Sequence, residues 1–345
     1  MKKNHLLLGV GVYLLALLTA SAFLGVCPAM AQSAQSGLPR TIVMATNPQG
    51  SIQYNLAVGI GKVIGEHTPM RVELAPMGGG GYFPMFETKE VDIAIQTVDE
   101  AWTAFAGEGQ FKKITKGKGY NIRTLLVGGA LRLAPMVRAN SGLHQIKDLK
   151  GKRYAQMKMI YASTLAAAAS LANGELTWDD VIPVPVTGLI AQNDALLEGR
   201  VDANLAGIGG AQTQRLLSAG CYILPLDPSE QALARMKKLF PGYGLAKAPP
   251  NLIGLKKPSF VMTKPFLLLA RPGLQQNVVD AVLDTLWNHR DELVPVHPMF
   301  GSWVTKNFAS TSTMTPYLDE AINWYKANGV WTDEMEKHQK EIANK

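Results

Sequence analysis

The stretch from Thr41 to Gly109 constrains the fold most tightly, because strand and helix alternate there at short spacing. Thr41 to Thr46 is an apolar run of strand length, and Leu56, Ile60, Val63 and Ile64 then recur at helical spacing. Arg71 to Ala75 alternates as a second strand, and Val91 to Gln96 reads as a third. A short helix with Phe83, Met85 and Phe86 inside lies between them, and another, carrying Ala101, Trp102 and Phe105, ends at Gly107-Glu108-Gly109. This order predicts an α/β fold, a parallel sheet with helices on its faces. Two turns, Thr46-Asn47-Pro48-Gln49-Gly50-Ser51 and Met77-Gly78-Gly79-Gly80-Gly81-Tyr82, sit where a strand gives way to a helix. A helix start presents unpaired N–H groups and the positive end of the helix dipole. Two such turns at neighbouring strand ends make a receptor for a small anion.

The alternation then resumes. Ile122 to Val127 and Leu133 to Arg138 read as two strands, followed by strands at Arg153 to Met157, Val181 to Val186, Val201 to Leu205 and Cys221 to Leu224. Helices fall at Ser163 to Ala172, before Gly199, and from Gly210 to Ala219. Beyond these, Pro241, Pro249, Pro250 and Pro258 predict loops, with short strands at Phe260-Val261-Met262 and Phe266 to Leu269. Val278, Val279, Val282, Leu283 and Leu286 mark an amphipathic helix. The punctuation of a final helix is Thr315 as N-cap, Pro316 at its first position and Gly329 past its end.

The first residues have the character of a secretory leader: Lys2-Lys3, an apolar run from Leu6 to Gly25, and Ala29-Met30-Ala31 as a small-x-small site. Cleavage is expected after Ala31, in preference to an uncleaved anchor or a lipid on Cys27, which places the mature chain in the periplasm. About 310 of the 345 residues then remain, enough for two lobes. Cys221 is left as the one cysteine, so the mature chain rests on burial rather than disulfides. Removing Lys2 and Lys3 lowers the net charge from +7 to +5, and the Lys112–Lys118 cluster reads as a solvated loop. No interleaving of basic and aromatic residues points to nucleic acid.

No HExxH, CxxC, DxDxDG or GxSxG pattern is present, and the glycine run lacks the Lys-Ser/Thr of a phosphate loop. No histidine lies at metal-ligand spacing from another, and no cofactor or metal is expected. Asp99-Glu100 and Asp179-Asp180 fit helix starts. A binding constellation remains. Thr46, Gln49 and Ser51 line the first turn, Tyr54 follows it, Gly79, Gly80 and Tyr82 belong to the second, and Gln96-Thr97 end the third strand. Arg132 and Arg138 are the arginines placed to hold a carboxylate through two parallel hydrogen bonds.

These residues resemble the solute receptors of tripartite ATP-independent periplasmic (TRAP) transporters, in their TAXI branch. The likeness runs through Gly50-Ser51-Ile52-Gln53-Tyr54, Val91 to Gln96, Ala104 to Gly109, Ser141-Gly142-Leu143, Asp148 to Arg153, Leu197 to Ala203 and Trp324 to Trp331. The resemblance implies a periplasmic-binding-protein-like (type II) architecture, two α/β lobes joined by crossing strands. Lobe 1 is expected over 32–129 and 226–345, and lobe 2 over 130–225. It implies capture of a small organic carboxylate and its delivery to a TRAP-type membrane permease, with no catalysis. An enzyme on the same scaffold, or a sensing partner of a membrane kinase, stays open as an alternative. The second lobe's strand-to-helix turn, with Tyr161 and Ser163, should supply contacts. Where the family often has small polar turns, this chain has Pro76 to Tyr82 and Ile160-Tyr161-Ala162-Ser163. Both bring in a tyrosine, which predicts aromatic walls and a ligand with an apolar or flat part beside its anionic group.

Overall fold

The computed structural model describes residues 37–248 and 258–343, so the leader, Cys27 and the cleavage site after Ala31 lie outside the described residues. The chain begins with β1 (Thr41–Thr46), α1 (Ile52–His67), β2 (Arg71–Pro76), α2 (Gly79–Glu87), β3 (Ile93–Thr97), α3 (Val98–Ala106) and α4 (Phe111–Ile114). It continues through β4 (Arg123–Val137), β5 (Arg153–Gln156), α5 (Tyr161–Asn173), β6 (Ile182–Pro185), α6 (Leu189–Leu197), β7 (Ala203–Gly207), α7 (Ala211–Ser218) and β8 (Tyr222–Ile223). Then come α8 (Glu230–Leu239), β9 (Gly244–Ala248), β10 (Ser259–Ala270), α9 (Gln276–Asn288), α10 (Arg290–Leu293), α11 (Asp319–Ala327) and α12 (Asp333–Ala343). Among the described residues no helix is long and apolar enough to cross a membrane.

One sheet runs in the order β2-β1-β3-β10-β4-β7-β5-β6, with β9 on β10 and β8 on β4. It has two parallel parts, β2-β1-β3 and β7-β5-β6. Between them β10 and β4 run antiparallel to each other and to their outer neighbours β3 and β7. The elements of the opening stretch form where the apolar spacing places them. Ser51 caps α1 by accepting from the Tyr54 N–H at 3.1 Å, and Leu56, Ile60, Val63 and Ile64 are buried. Gly107 ends α3 in the left-handed region, at φ 67°.

The centre departs from the sequence expectation. The two strands expected at Ile122–Val127 and Leu133–Arg138 are one strand, β4, and the two expected around Phe260–Leu269 are one strand, β10. Gly128-Gly129 and Lys264-Pro265 interrupt the apolar runs without ending the strands. Pro265 pairs with Ala130 and Leu267 with Val127, so a bulge sets Phe266 opposite Gly128-Gly129. The glycines also admit Trp303, which is fully buried; a Cβ on Gly128 would stand 2.5 Å from its ring.

One further expectation is corrected. Thr315 is buried and is not a helix cap; Leu318 caps α11, which starts at Asp319. The backbone before it is held by Thr124, whose N–H donates to the Pro316 carbonyl and whose carbonyl accepts from Leu318. α12 then follows beyond Gly329. Residues of the 226–248 segment contact both α5 and α3. The Arg235 guanidinium of α8 donates to the Ala172 and Asn173 carbonyls of α5, while Phe240 meets the Trp102 ring of α3.

A Gly128→Ala chain is expected to lose about 1–3 kcal/mol of stability, because the added methyl overpacks the Trp303 ring. Urea unfolding followed by tryptophan fluorescence checks this; an unchanged midpoint would show that the ring moves aside freely.

Candidate functional site

The carboxyl ends of β1 and β3 face those of β5 and β7, the position at which open α/β sheets bind ligands. A cavity of about 150 Å³ lies there, lined from one side by Asn47, Ser51, Gln96 and Thr97 and from the other by Met157, Ser163, Leu205 and Gly207. Leu131 and Leu133 of β4 and Lys264 of β10 form part of its wall. A second, outer chamber of about 920 Å³ adjoins it, lined by Gln49, Gly78, Gly81, Gln110 and Thr187 among others. Asn47, Gly50, Ser51, Glu100, Ile160, Leu189 and Gln212 line both chambers. The helix starts at Ser51, Ile160, Gly188 and Gly210 bring N–H groups towards this space.

Of the residues singled out in the sequence, Ser51, Gln96, Thr97 and Ser163 line the inner chamber, and Gln49 the outer. Gly79 and Gly80 form the first turn of α2, between Gly78 and Gly81 on the outer chamber wall. Thr46 is buried at the end of β1, and Tyr54 lies along α1; neither is among the lining residues. The two tyrosines expected as aromatic walls line neither chamber, and the aromatic ring on the outer wall is that of Phe111. Tyr82 is wholly buried, and its hydroxyl accepts from Gln96 Nε2 at 3.0 Å. Gln96 Nε2 also donates to Asn47 Oδ1 at 3.3 Å, so Tyr82 sits behind the wall and orients an amide within it. The Tyr161 ring fills the space that a side chain at Gly109 would occupy, and Tyr161 lines neither chamber.

The arginines are placed differently from the expectation. Leu131 and Leu133 line the cavity, so the alternation of β4 turns Arg132 to the opposite face of the sheet. Its Nε is buried without a partner. Arg138 donates to the carbonyls of Leu196 and Val201 and pairs with Asp202, which fastens α6 to β7. The cation that does line the cavity is Lys264, which sequence reasoning missed. Its ammonium lies 2.7 and 3.0 Å from the two oxygens of Asp99, and Tyr243 donates to Asp99 at 2.9 Å. Both members of the ion pair are buried, at 6% and 0% side-chain exposure. A lone lysine inside the apolar run Phe260–Leu269 was the available signal, since a buried lysine needs an acid.

Glu100, the next residue on α3, was also missed as a wall residue. Burial first, and then the neighbouring Asp99, push its carboxyl up to about 7, against the opposing pull of Lys264 and Gln110. Gln110 donates to Glu100 at 3.0 Å and accepts from the Tyr161 N–H at 2.6 Å. One amide thus joins α3 to the first turn of α5, across the neck of the cavity.

A separate cluster brings together two histidines that lie at no metal-ligand spacing in the sequence. His67 and His289 both reach Glu292 at 2.9 Å. Nothing in their sequence spacing announces this, because α1 and α9 are brought together only by the fold.

A mixed sheet with crossing central strands and a cavity at facing strand ends defines a periplasmic-binding-protein-like fold. The chain belongs to the NMT1-like family, whose model matches residues 44–329. The structure is similar to that of the periplasmic binding protein BugD, with a TM-score of 0.55, 14% identity, and 89% of this chain and 97% of that chain covered. It is also similar to the periplasmic aliphatic sulphonate binding protein SsuA from Escherichia coli, with a TM-score of 0.47, 14% identity, and 89% and 86% of the two chains covered. No curated protein matches the sequence.

Removing Lys264 as Lys264→Ala should destabilise the chain by about 3–5 kcal/mol, since Asp99 is left buried and unpaired. In a double-mutant cycle with Asp99→Ala, the double variant should lose less than the two single losses added together. Additivity would show that the pair is not coupled.

Proposed function

We propose that this chain is an exported solute receptor. It captures a small organic carboxylate in the two-chambered cavity and delivers it to a membrane permease of the TRAP type. The observation that carries the reading is the cavity itself, bounded by strand ends and helix starts from both parallel parts of one sheet. Membership of the NMT1-like family and the TAXI resemblance of the sequence support it. The two parallel parts act as lobes, 32–129 with most of the C-terminal region and 130–225. They close by flexing where Gly128-Gly129 faces Phe266. The segment 226–248 spans them.

The anchor in this reading is not an arginine. Lys264 is already held by both oxygens of Asp99, so the carboxylate is received by backbone N–H groups and by Ser51, Thr97 and Ser163. The remaining lining is rich in Ile52, Leu131, Leu133, Met157 and Ile160, which suits an apolar body on the acid. Thermal-shift measurement over a panel of organic acids tests the reading, because a ligand bound only by the folded state raises the melting temperature. Ser163→Trp should fill the inner chamber and abolish that rise, whereas Arg132→Ala should leave affinity within about twofold. A panel in which no member raises the melting temperature, with nothing co-purifying by mass spectrometry, would sink the receptor reading.

Glu100 supplies a pH signature. An incoming carboxylate raises the Glu100 pKa further above its free value of about 7, so binding takes up a proton. Affinity should therefore be greatest below pH 7 and fall as pH rises through it. Glu100→Gln should flatten the profile, which calorimetry in buffers of different ionisation heat can follow. The opposite slope would mean that the solute offers Glu100 an N–H donor instead of a carboxylate.

A further inference from the structure

Three ligating side chains converge on the surface far from the cavity. His67 is the last residue of α1, His289 is the C-cap of α9, and Glu292 lies in α10. His67 Nε2 stands 2.9 Å from one Glu292 oxygen, and His289 Nδ1 stands 2.9 Å from the other. The donor atoms of the three residues all lie within 4.8 Å of one another. Cys and carboxylate groups form no comparable cluster with histidine elsewhere among the described residues.

Four physical features make this more than a pair of surface ion contacts. The imidazole rings are stacked, with centroids 3.4 Å apart and planes 14° apart. Two helices, α1 and α9, end here, and helix C-termini favour positive charge. Arg290, two residues before Glu292, is engaged with the carbonyls of Phe300, Gly301 and Trp303 and with Asp291 rather than with Glu292. The side chains are 28%, 34% and 46% exposed, which leaves room for an ion to enter and for water to complete its shell.

We propose that His67, His289 and Glu292 form a binding site for a divalent transition-metal ion of borderline softness, with Zn²⁺ as the best match. Two imidazole nitrogens and one carboxylate oxygen are a common zinc donor set, with bonds of about 2.0–2.2 Å to each. Small side-chain rotations bring the three donors to those distances. The site is distinct from the solute cavity, because the 16 residues of α1 separate His67 from Ser51 by about 24 Å. Metal here clamps the end of α1 to the α9–α10 corner and stabilises the folded chain by mass action.

The full chain, stripped with a chelator and dialysed, is titrated with Zn²⁺ by calorimetry and followed by thermal shift. One equivalent should bind with a dissociation constant of about 10 µM or tighter. Glu292→Gln and His67→Ala should each weaken binding by about tenfold or more and abolish the rise in melting temperature, while His144→Ala should change neither. Should His67→Ala fold poorly, Glu292→Gln alone decides, since its half-exposed side chain is an acid-to-amide change of the same shape. Cobalt(II) in place of zinc should give visible absorption bands that disappear in the same variants. Failure of Zn²⁺ to saturate at about 100 µM, or equal binding by Glu292→Gln and wild type, would overturn the site.

Discussion

The Asp99–Lys264 ion pair is the contact on which the centre of this structure depends. A lysine on an interior strand has no water to hold its charge, so it survives only against an acid at hydrogen-bond distance. Lys264 lies on β10, Asp99 on α3 and Tyr243 just before β9, so the pair fastens three segments distant in sequence. It also decides what the cavity can do. With its ammonium committed to Asp99, Lys264 is not a free anchor for an anion, and Glu100 beside it is left without a cation of its own. The polar groups left facing the cavity are therefore amides, hydroxyls, backbone N–H groups and the carboxyl of Glu100.

Much of the architecture was legible because one-sided burial imposes a period on the sequence. The spacing of Leu56, Ile60, Val63 and Ile64 fixes the buried face of α1, and the short apolar runs from Thr41 and Val91 locate β1 and β3. What was hidden depended on partners far along the chain. Gly128-Gly129 and Lys264-Pro265 look like breaks until β4 and β10 are laid side by side, with Lys264-Pro265 against Leu131-Ala130 and Phe266 against the two glycines. Thr315 and Pro316 satisfy every local rule for a helix start, yet Thr124 claims the backbone there and delays the helix to Asp319. The site was partly readable for the same reason. Turn residues such as Ser51 and Thr97 declare themselves locally, whereas the orientation of Arg132 depends on which face of β4 meets the cavity. Glu100 carried the marks of an ordinary helix-start acid, and only its burial beside Asp99 sets it apart.

The two tyrosines teach a related lesson about pocket chemistry. Tyr82 and Tyr161 replace small polar residues expected at two turns, but neither reaches the cavity. Tyr82 lies against Phe83, its ring centroid 4.7 Å away, and passes its influence through Gln96. Tyr161 covers Gly109, whose positive φ and bare Cα leave room for a ring. Bulk was thus added behind the wall and over the neck, and the lining kept its mixture of aliphatic and small polar groups.

The bulge where β4 crosses β10 has a mechanical consequence. Both strands run without interruption from one side of the sheet to the other, so the two sides share covalent backbone. They do not share a continuous hydrogen-bond ladder, since proline has no N–H to donate and two glycines face one residue there. Twisting about that gap stretches few main-chain bonds. Resistance comes instead from the indole of Trp303 wedged on the glycines, which makes one side chain the stiffness setting of a joint otherwise built from backbone.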